Sequence, residues 1–328
     1  MKKFLYINNM NENVRLGYAC VNMTLTGRPN KLGGRVTTSR TARKATWYPD
    51  NYQLIGERAL LNATDLLHYL KWNNEHKIKL FRVGSELFPW HDHYELNQLP
   101  QIKEISKHLL AAGNYARKHG IRLTTHPGPY HVLGSPTQPV VEKSIIGLER
   151  HSEMFDIMGY EPSFENKINI HVGGAYGDHA ATAKRWIKTW HRLSDRLKSR
   201  LVLENDDKPS MWSTRMLYDY FYKEIGIPIT FDYHHHTFHP DELSEKQALE
   251  LARSTWPDNV RQCCHYSESR AKEYQDPKIR KQAHSDYIQN EINTYGLDLD
   301  IVIEAKAKEL ALLEYRNIYQ YNNKRVLL

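Results

Sequence analysis

The sequence predicts an α/β chain folded as a single-domain (β/α)8 TIM barrel. Three observations carry that expectation. Eight short β-branched runs alternate with longer stretches of helical periodicity. The alternation fills about 300 of the 328 residues, with no low-complexity tract or further internal repeat to divide them. The first strand also lacks the Gly-rich turn of an open doubly wound sheet, since Gly17-Tyr18-Ala19-Cys20 does not supply G-x-G-x-x-G.

Strands are expected, in order, at Arg15–Leu25, Lys79–Gly84, Arg122–His126, Lys167–Val172, Leu201–Glu204, Pro228–Asp232, Val260–Tyr266 and Leu299–Glu304. Between them, Asn51–Trp72, Pro100–Lys118, Val140–Met158, His179–Leu197, Met211–Glu224 and Ala305–Tyr315 carry the spacing of amphipathic helices. Residues 1–14 are expected as a leader, and 316–328, with Arg316, Lys324 and Arg325, as a C-terminal tail.

Composition narrows the class. With 40% hydrophobic and 25% charged residues the chain matches globular proteins rather than disordered or fibrous ones. No window approaches about 18 consecutive apolar residues, so neither a membrane span nor a signal peptide is expected. The three cysteines, Cys20, Cys263 and Cys264, include a vicinal pair and are poor material for a secreted disulfide framework, which points to the cytoplasm. The net charge of +7 is local: residues 1–50 hold nine basic and two acidic side chains, whereas the other 278 hold 36 of each. Arg28, Lys31, Arg35, Arg40, Arg43 and Lys44 lie in a Gly-, Thr- and Ser-rich stretch that reads as a mobile basic loop, for which a phosphate backbone is a natural partner.

Residues with metal-binding chemistry fall at strand ends. His126, His171, Glu204, Asp232 with His235, His265 and Glu304 end or follow six different candidate strands. In a barrel those ends meet at one face, where catalytic groups sit. Each alone reads as an ordinary hydrogen-bonded polar group. Together they would be costly to desolvate and would repel unless cations lay among them. Imidazole and carboxylate without thiolate suits Mn²⁺, Zn²⁺ or Fe²⁺ rather than an oxygen-only Ca²⁺ site or a structural Cys-type zinc site. With His265 facing the mouth, alternation turns Cys264 outward and Cys263 inward. His93 and His284 fall in loops on the same side and join the candidates. In the run Asp232-Tyr233-His234-His235-His236, and at His239, at least two histidines are left to face solvent or orient ligands.

Ordered motifs then carry a resemblance. They are Gly17-Tyr18-Ala19-Cys20-Val21-Asn22, Arg82-Val83-Gly84-Ser85 with Leu87-Phe88-Pro89, His126-Pro127-Gly128, His171-Val172-Gly173-Gly174 with Gly177-Asp178, Glu204-Asn205-Asp206-Asp207-Lys208, Asp232-Tyr233-His234-His235, His265-Tyr266-Ser267-Glu268-Ser269 and Ile303-Glu304-Ala305-Lys306. The chain resembles the UV damage endonuclease family, relatives of the endonuclease IV class of metal-dependent barrel nucleases. The resemblance implies a monomer that acts on double-stranded DNA, nicking the phosphodiester bond immediately 5′ of a UV photoproduct and leaving a 3′-hydroxyl. It implies two or three divalent ions, manganese first and zinc or iron as alternatives. Their ligands would be His93, His126, His171, Glu204, Asp232, His235, His265, His284 and Glu304, with Glu204 bridging two ions. Tyr18 and Asn22 would lie near the scissile phosphate or the flipped nucleotides. Pro129 and Tyr130 would meet the lesion, and Arg35, Arg40 and Lys208 the DNA. Two departures stand out: Pro129 replaces a Gln common before the probing aromatic, and Cys263 replaces a Lys common two residues before the seventh-strand His.

The chemistry agrees. Phosphodiester hydrolysis needs charge stabilisation at both nucleophile and leaving oxygen, an acceleration worth on the order of 20 kcal/mol that clustered divalent ions supply better than a side-chain acid and base. Three alternatives stand at this point: an abasic-site endonuclease of the endonuclease IV type, a metal-dependent sugar isomerase on the same barrel, and a catalytically impaired barrel that binds damaged DNA.

Overall fold

The computed structural model describes residues 13–26 and 36–321, so Arg35 lies outside the described residues. Eight parallel strands form it: β1 Val14–Ala19, β2 Leu80–Val83, β3 Arg122–Thr125, β4 Ile168–His171, β5 Leu201–Glu204, β6 Ile229–Thr230, β7 Gln262–Tyr266 and β8 Leu299–Ile303. Their order is β6-β5-β4-β3-β2-β1-β8-β7. The two ends of that order meet through a parallel bridge between Asp232 and His265, where the His265 N–H donates to the Phe231 carbonyl at 3.0 Å. The sheet is thereby a nearly closed barrel, as the alternation predicts.

The largest departure from the expected strands is at β1. β1 stops at Ala19 because Cys20 takes a left-handed φ of 67°, and Met23–Thr26 winds into a helical turn. The covering helices include α1 Tyr52–Glu75, α2 Ile102–Lys118, α3 Gln138–Ile157, α4 His179–Trp190, α5 Glu245–Arg253 and α6 Glu309–Tyr315. Sequence periodicity missed α5, which opens on a reciprocal cap between Ser244 and Gln247. The expected Met211–Glu224 helix is broken into Thr214–Leu217, a π-helical turn Tyr218–Tyr222 and Lys223–Ile225. Beyond α6 the helical path continues through Arg316–Tyr321, and buried Arg316 donates to the carbonyls of His76 and Lys77; the chain is therefore still packed where the tail was expected to begin.

Alternation sorts each strand into two faces. Leu16, Tyr18, Phe81, Val83, Ile168, Ile170, Leu201, Leu203, Ile301 and Ile303 point outward into the core shared with the helices. Inside the barrel, Ala19, Leu80, Val202, Cys263 and Val302 form a small apolar layer. Gly17 is required where β1 meets β2, since a Cβ there would collide with the Leu80 carbonyl oxygen. At the N-terminal end the barrel is plugged by charge: Arg122 donates to Asp300 at 2.7 Å and to the carbonyls of Phe164, Glu165 and Arg261, and Arg15 pairs with the same Asp300. Full hydrogen bonding of the guanidinium is what makes its burial tolerable. Two residues beyond the inner apolar layer on each strand path, the opposite end of the barrel carries Arg82, His126, His171, Glu204, Asp232, His265 and Glu304.

Candidate metal centre

Glu204 ends β5 and is 1% exposed, at the floor of the mouth. Its Oε2 lies 3.0 Å from His126 Nε2 and 3.9 Å from His171 Nε2. Its Oε1 lies 3.1 Å from His265 Nδ1 and 3.5 Å from His235 Nδ1. His265 Nδ1 is also 3.3 Å from Glu304 Oε1, and His284 Nδ1 is 3.8 Å from Glu304 Oε2. Single ligand atoms of His126, His171 and Glu204 fall within 4.8 Å of one another, as do those of Glu204, Asp232 and His265. Seven of the other eight expected ligands thus gather around the Glu204 carboxylate, directly or through Glu304.

Outer partners aim these groups. The Nδ1–H of His126 donates to the Pro127 carbonyl at 3.0 Å, and that of His235 to the Asn205 carbonyl at 2.8 Å. His171 Nδ1 faces Asp206 Oδ1 at 3.2 Å. Nε2 is then the nitrogen each ring would turn to an ion, His171 after giving up a proton. Asn169 donates to Glu204 Oε2, and Arg82 pairs with Glu304. Below them Lys167 Nζ lies 2.9 Å from Asn169 Oδ1, 3.0 Å from Thr230 Oγ1 and 3.2 Å from His265 Nε2. Sequence reasoning missed Lys167, Asn169 and Arg82 as site residues. The signal was present for the first two, which stand four and two residues before His171 and so share its face. Cys263 belongs to the inner apolar layer and Cys264 to the outer core; the amine beneath His265 comes from Lys167, the residue that leads into β4.

The electrostatics ask for a cation. Glu204 Oε1, Asp206 Oδ2 and Asp232 Oδ2 are buried without a hydrogen-bond donor. Burial opposes ionisation of Glu204, yet His265 and His171 hold it well below the usual carboxylate range, and Arg82 does the same for Glu304. Burial would lower His171, but the carboxylates of Glu204 and Asp206 outweigh it and raise the group to about 10. Burial lifts Asp232 to about 7, takes His265 down to about 4, and lowers His126 and His284. The carboxylates of Asp232 and Glu204 likewise overcome burial and raise His235. Unsatisfied carboxylate oxygens, three imidazoles held neutral and two that keep a proton only for want of another cation are a donor set that fits a divalent transition ion.

The other expected residues are placed differently. His93 stands apart from the Glu204 group: its Nε2 is 3.2 Å from Lys143 Nζ, and its ring packs near Trp47, Tyr48 and Trp90. The turn through Trp90, at φ 59°, directs it toward α3. Tyr18 and Asn22, expected near the scissile phosphate, are buried in this structure and held by hydrogen bonds. Alternation points Ala19 inward and Tyr18 outward, where its hydroxyl donates to Asn73 at 2.7 Å and accepts from Asn22 at 2.9 Å; both residues are 0% exposed. Asn22 Oδ1 also accepts from Leu25 N at 2.8 Å and caps the turn that shortens β1.

The described part of the basic stretch is anchored rather than mobile. Asn62 on α1 accepts from Arg40 N at 2.9 Å and donates to its carbonyl at 3.0 Å, while the Arg40 guanidinium pairs with Asp65 at 2.6 Å. Lys208 is exposed on the loop after β5. Pro129 and Tyr130 are exposed on the turn after β3. Gly128 makes that turn possible, since a Cβ there would collide with the Tyr130 ring at Cε1.

Comparison with known proteins adds the lineage. UV-damage endonuclease of Schizosaccharomyces pombe is 34% identical over 321 residues, covering 94% of this chain and 51% of that protein. UV DNA damage endonuclease of Clostridium perfringens is 31% identical over 95% of this chain and 72% of its own length. The chain spans about half the length of the fungal relatives it matches. The crystal structure of SacUVDE superposes with a TM-score of 0.78 at 28% identity, covering 95% of this chain and 99% of that one. Endonuclease IV from Thermus thermophilus, at TM-score 0.53 and 13% identity over 78% of this chain and 94% of that one, shares the fold. No helix among the described residues is long and apolar enough to cross a membrane. Residues 14–326 match the model of the UV-endonuclease UvdE family, and the chain belongs to that family.

Proposed function

We propose that this chain is a metal-dependent DNA repair endonuclease that nicks duplex DNA immediately 5′ of UV photoproducts and leaves a 3′-hydroxyl. The observation that carries the reading is the convergence of imidazoles and carboxylates on Glu204 in a chain of this family. His126, His171 and Glu204 would hold one ion, and Glu204, Asp232 and His265 another, with His235, His284 and Glu304 close enough to complete or extend the set. Bound divalent ions, manganese first, would activate water and neutralise charge developing at phosphorus.

The chain's own residues supply position. Asn169 fixes the Glu204 carboxylate, and Asp206 with the carbonyls of Pro127 and Asn205 sets the faces of three imidazoles. Exposed Tyr130, beside Pro129, would fill the gap left when the damaged dinucleotide turns out of the stack, a step costing about a few kcal/mol and least where stacking is already disturbed. Lys208 would meet the sugar-phosphate backbone.

The test uses supercoiled plasmid that is intact, UV-irradiated or depurinated, incubated with the protein and Mn²⁺ with and without a chelator. Chelator-sensitive nicking of the irradiated plasmid is expected, at ends that a polymerase extends directly. Nicking confined to the depurinated plasmid, equal nicking of all three, or binding without nicking under Mn²⁺, Zn²⁺ and Fe²⁺ would overturn the proposal.

A further inference from the structure

A second group of histidines lies under the turn that carries Tyr130. His91 follows β2, His131 is the next residue after Tyr130, and His151 belongs to α3; they are 5%, 2% and 3% exposed. One ring nitrogen of each falls within 4.8 Å of those of the other two. In every ring Nδ1 faces a main-chain carbonyl: Phe88 at 3.1 Å for His91, Gly128 at 3.0 Å for His131 and Gly147 at 2.8 Å for His151. A carbonyl only accepts, so Nδ1 carries the hydrogen and Nε2 keeps its lone pair. All three Nε2 atoms are buried without a hydrogen-bond partner. Each unsatisfied acceptor costs about 1–3 kcal/mol, and three that converge repel one another as well. One cation satisfies all of them.

We infer that His91, His131 and His151 form a tridentate site for a divalent transition metal, zinc above all, distinct from the centre at Glu204. Three imidazoles whose outer nitrogens are fixed by carbonyls are the donor set and the orientation that zinc takes, whereas Mg²⁺ and Ca²⁺ prefer oxygen. The fold keeps the place open: a Cβ at Gly147 on α3 would collide with His131 Nε2. His91 and His131 also line a cavity of about 600 Å³ together with Asp92 and Tyr130, which gives an ion a way in and water as a fourth ligand. The site joins three segments far apart in sequence, so a bound ion braces the Tyr130 turn against α3. Its existence does not depend on what the Glu204 centre does.

Zinc content per chain is measured after dialysis for the parent, His91→Gln/His151→Gln and Gly147→Ala, with anomalous diffraction at the zinc edge on crystals of the parent. Both variants are expected to hold one zinc fewer than the parent. An anomalous peak is expected about 2.0–2.1 Å from all three Nε2 atoms. Equal zinc content in the three proteins, or anomalous density at Glu204 with none at the histidine cluster, overturns the inference. The diffraction measurement on the unsubstituted chain decides the matter if a variant fails to fold.

Discussion

Replacing Glu204 by Gln keeps the shape of the side chain, and its remaining carbonyl oxygen still accepts from Asn169, but the charge at the meeting point of four imidazoles is lost. The group is 1% exposed, so solvent cannot make up the difference. Removing one member of a buried charged set costs about 3–5 kcal/mol. At about 1.4 kcal/mol per tenfold, ion affinity falls by roughly 10²–10⁴. Nicking of irradiated plasmid across a Mn²⁺ series should fall at least that far below saturation and stay depressed above it, since the carboxylate serves both expected ions. Binding to irradiated duplex, followed by fluorescence anisotropy at fixed salt, should change by less than about threefold, because Glu204 lies on the buried floor of the mouth. Activity within about tenfold of the parent at saturating Mn²⁺ would refute the bridging role assigned to Glu204.

Three further outcomes are expected. In the ion-free chain His171 is raised to about 10 and Asp232 to about 7, both above their unfolded values, so their stabilising contributions are complete below about pH 6.5 and pH 3.9 and are lost as pH rises through about 10 and 7. Melting temperature of the stripped protein should therefore drop between pH 7 and 10, and calorimetry in two buffers should show about one proton released per chain on ion loading at pH 8; no release would contradict the His171 assignment. Tyr130→Ala should lower the ratio of irradiated to intact cleavage about tenfold with little change in melting temperature, in line with about 1–3 kcal/mol per stacked base, and an unchanged ratio would remove Tyr130 from lesion recognition. Arg40→Ala should cost about 1–3 kcal/mol of stability through the lost Asp65 pair while leaving the salt dependence of DNA binding alone; a slope reduced by about one would instead make Arg40 a phosphate contact.

Much of this architecture was legible because parallel strands covered on both faces read as short apolar runs, and seven of the eight lie within two residues of expectation. β1 was overextended because a non-glycine residue, Cys20, turns into the left-handed region, which composition does not announce. The gathering of polar residues at the mouth was legible because a strand's last inward residue faces it; that rule picked out His126, His171, Glu204, Asp232, His265 and Glu304, which the structure brings together around Glu204. It was less informative for loops. His93 shares the right side of the barrel with them yet lies against Lys143. The outward setting of Tyr18 was not read from its motif, because it follows from the alternation that puts Ala19 inward. His91, His131 and His151 were invisible to sequence reasoning because their proximity is made by two turns and a helix, with no periodic pattern to betray it.

The barrel's hoop is finished by the main chain at Asp232 and His265, two residues whose side chains also belong to the proposed ion-binding set. Loading the centre would therefore rivet the staves β6 and β7 together, and stripping it would loosen the ring at the place where substrate must be held rigid. Amide exchange at His265 should slow on loading more than exchange at the N-terminal plug around Arg122 and Asp300. On that proposal the molecule would inspect itself: a copy without its ions would also be one whose ring is less firmly pinned.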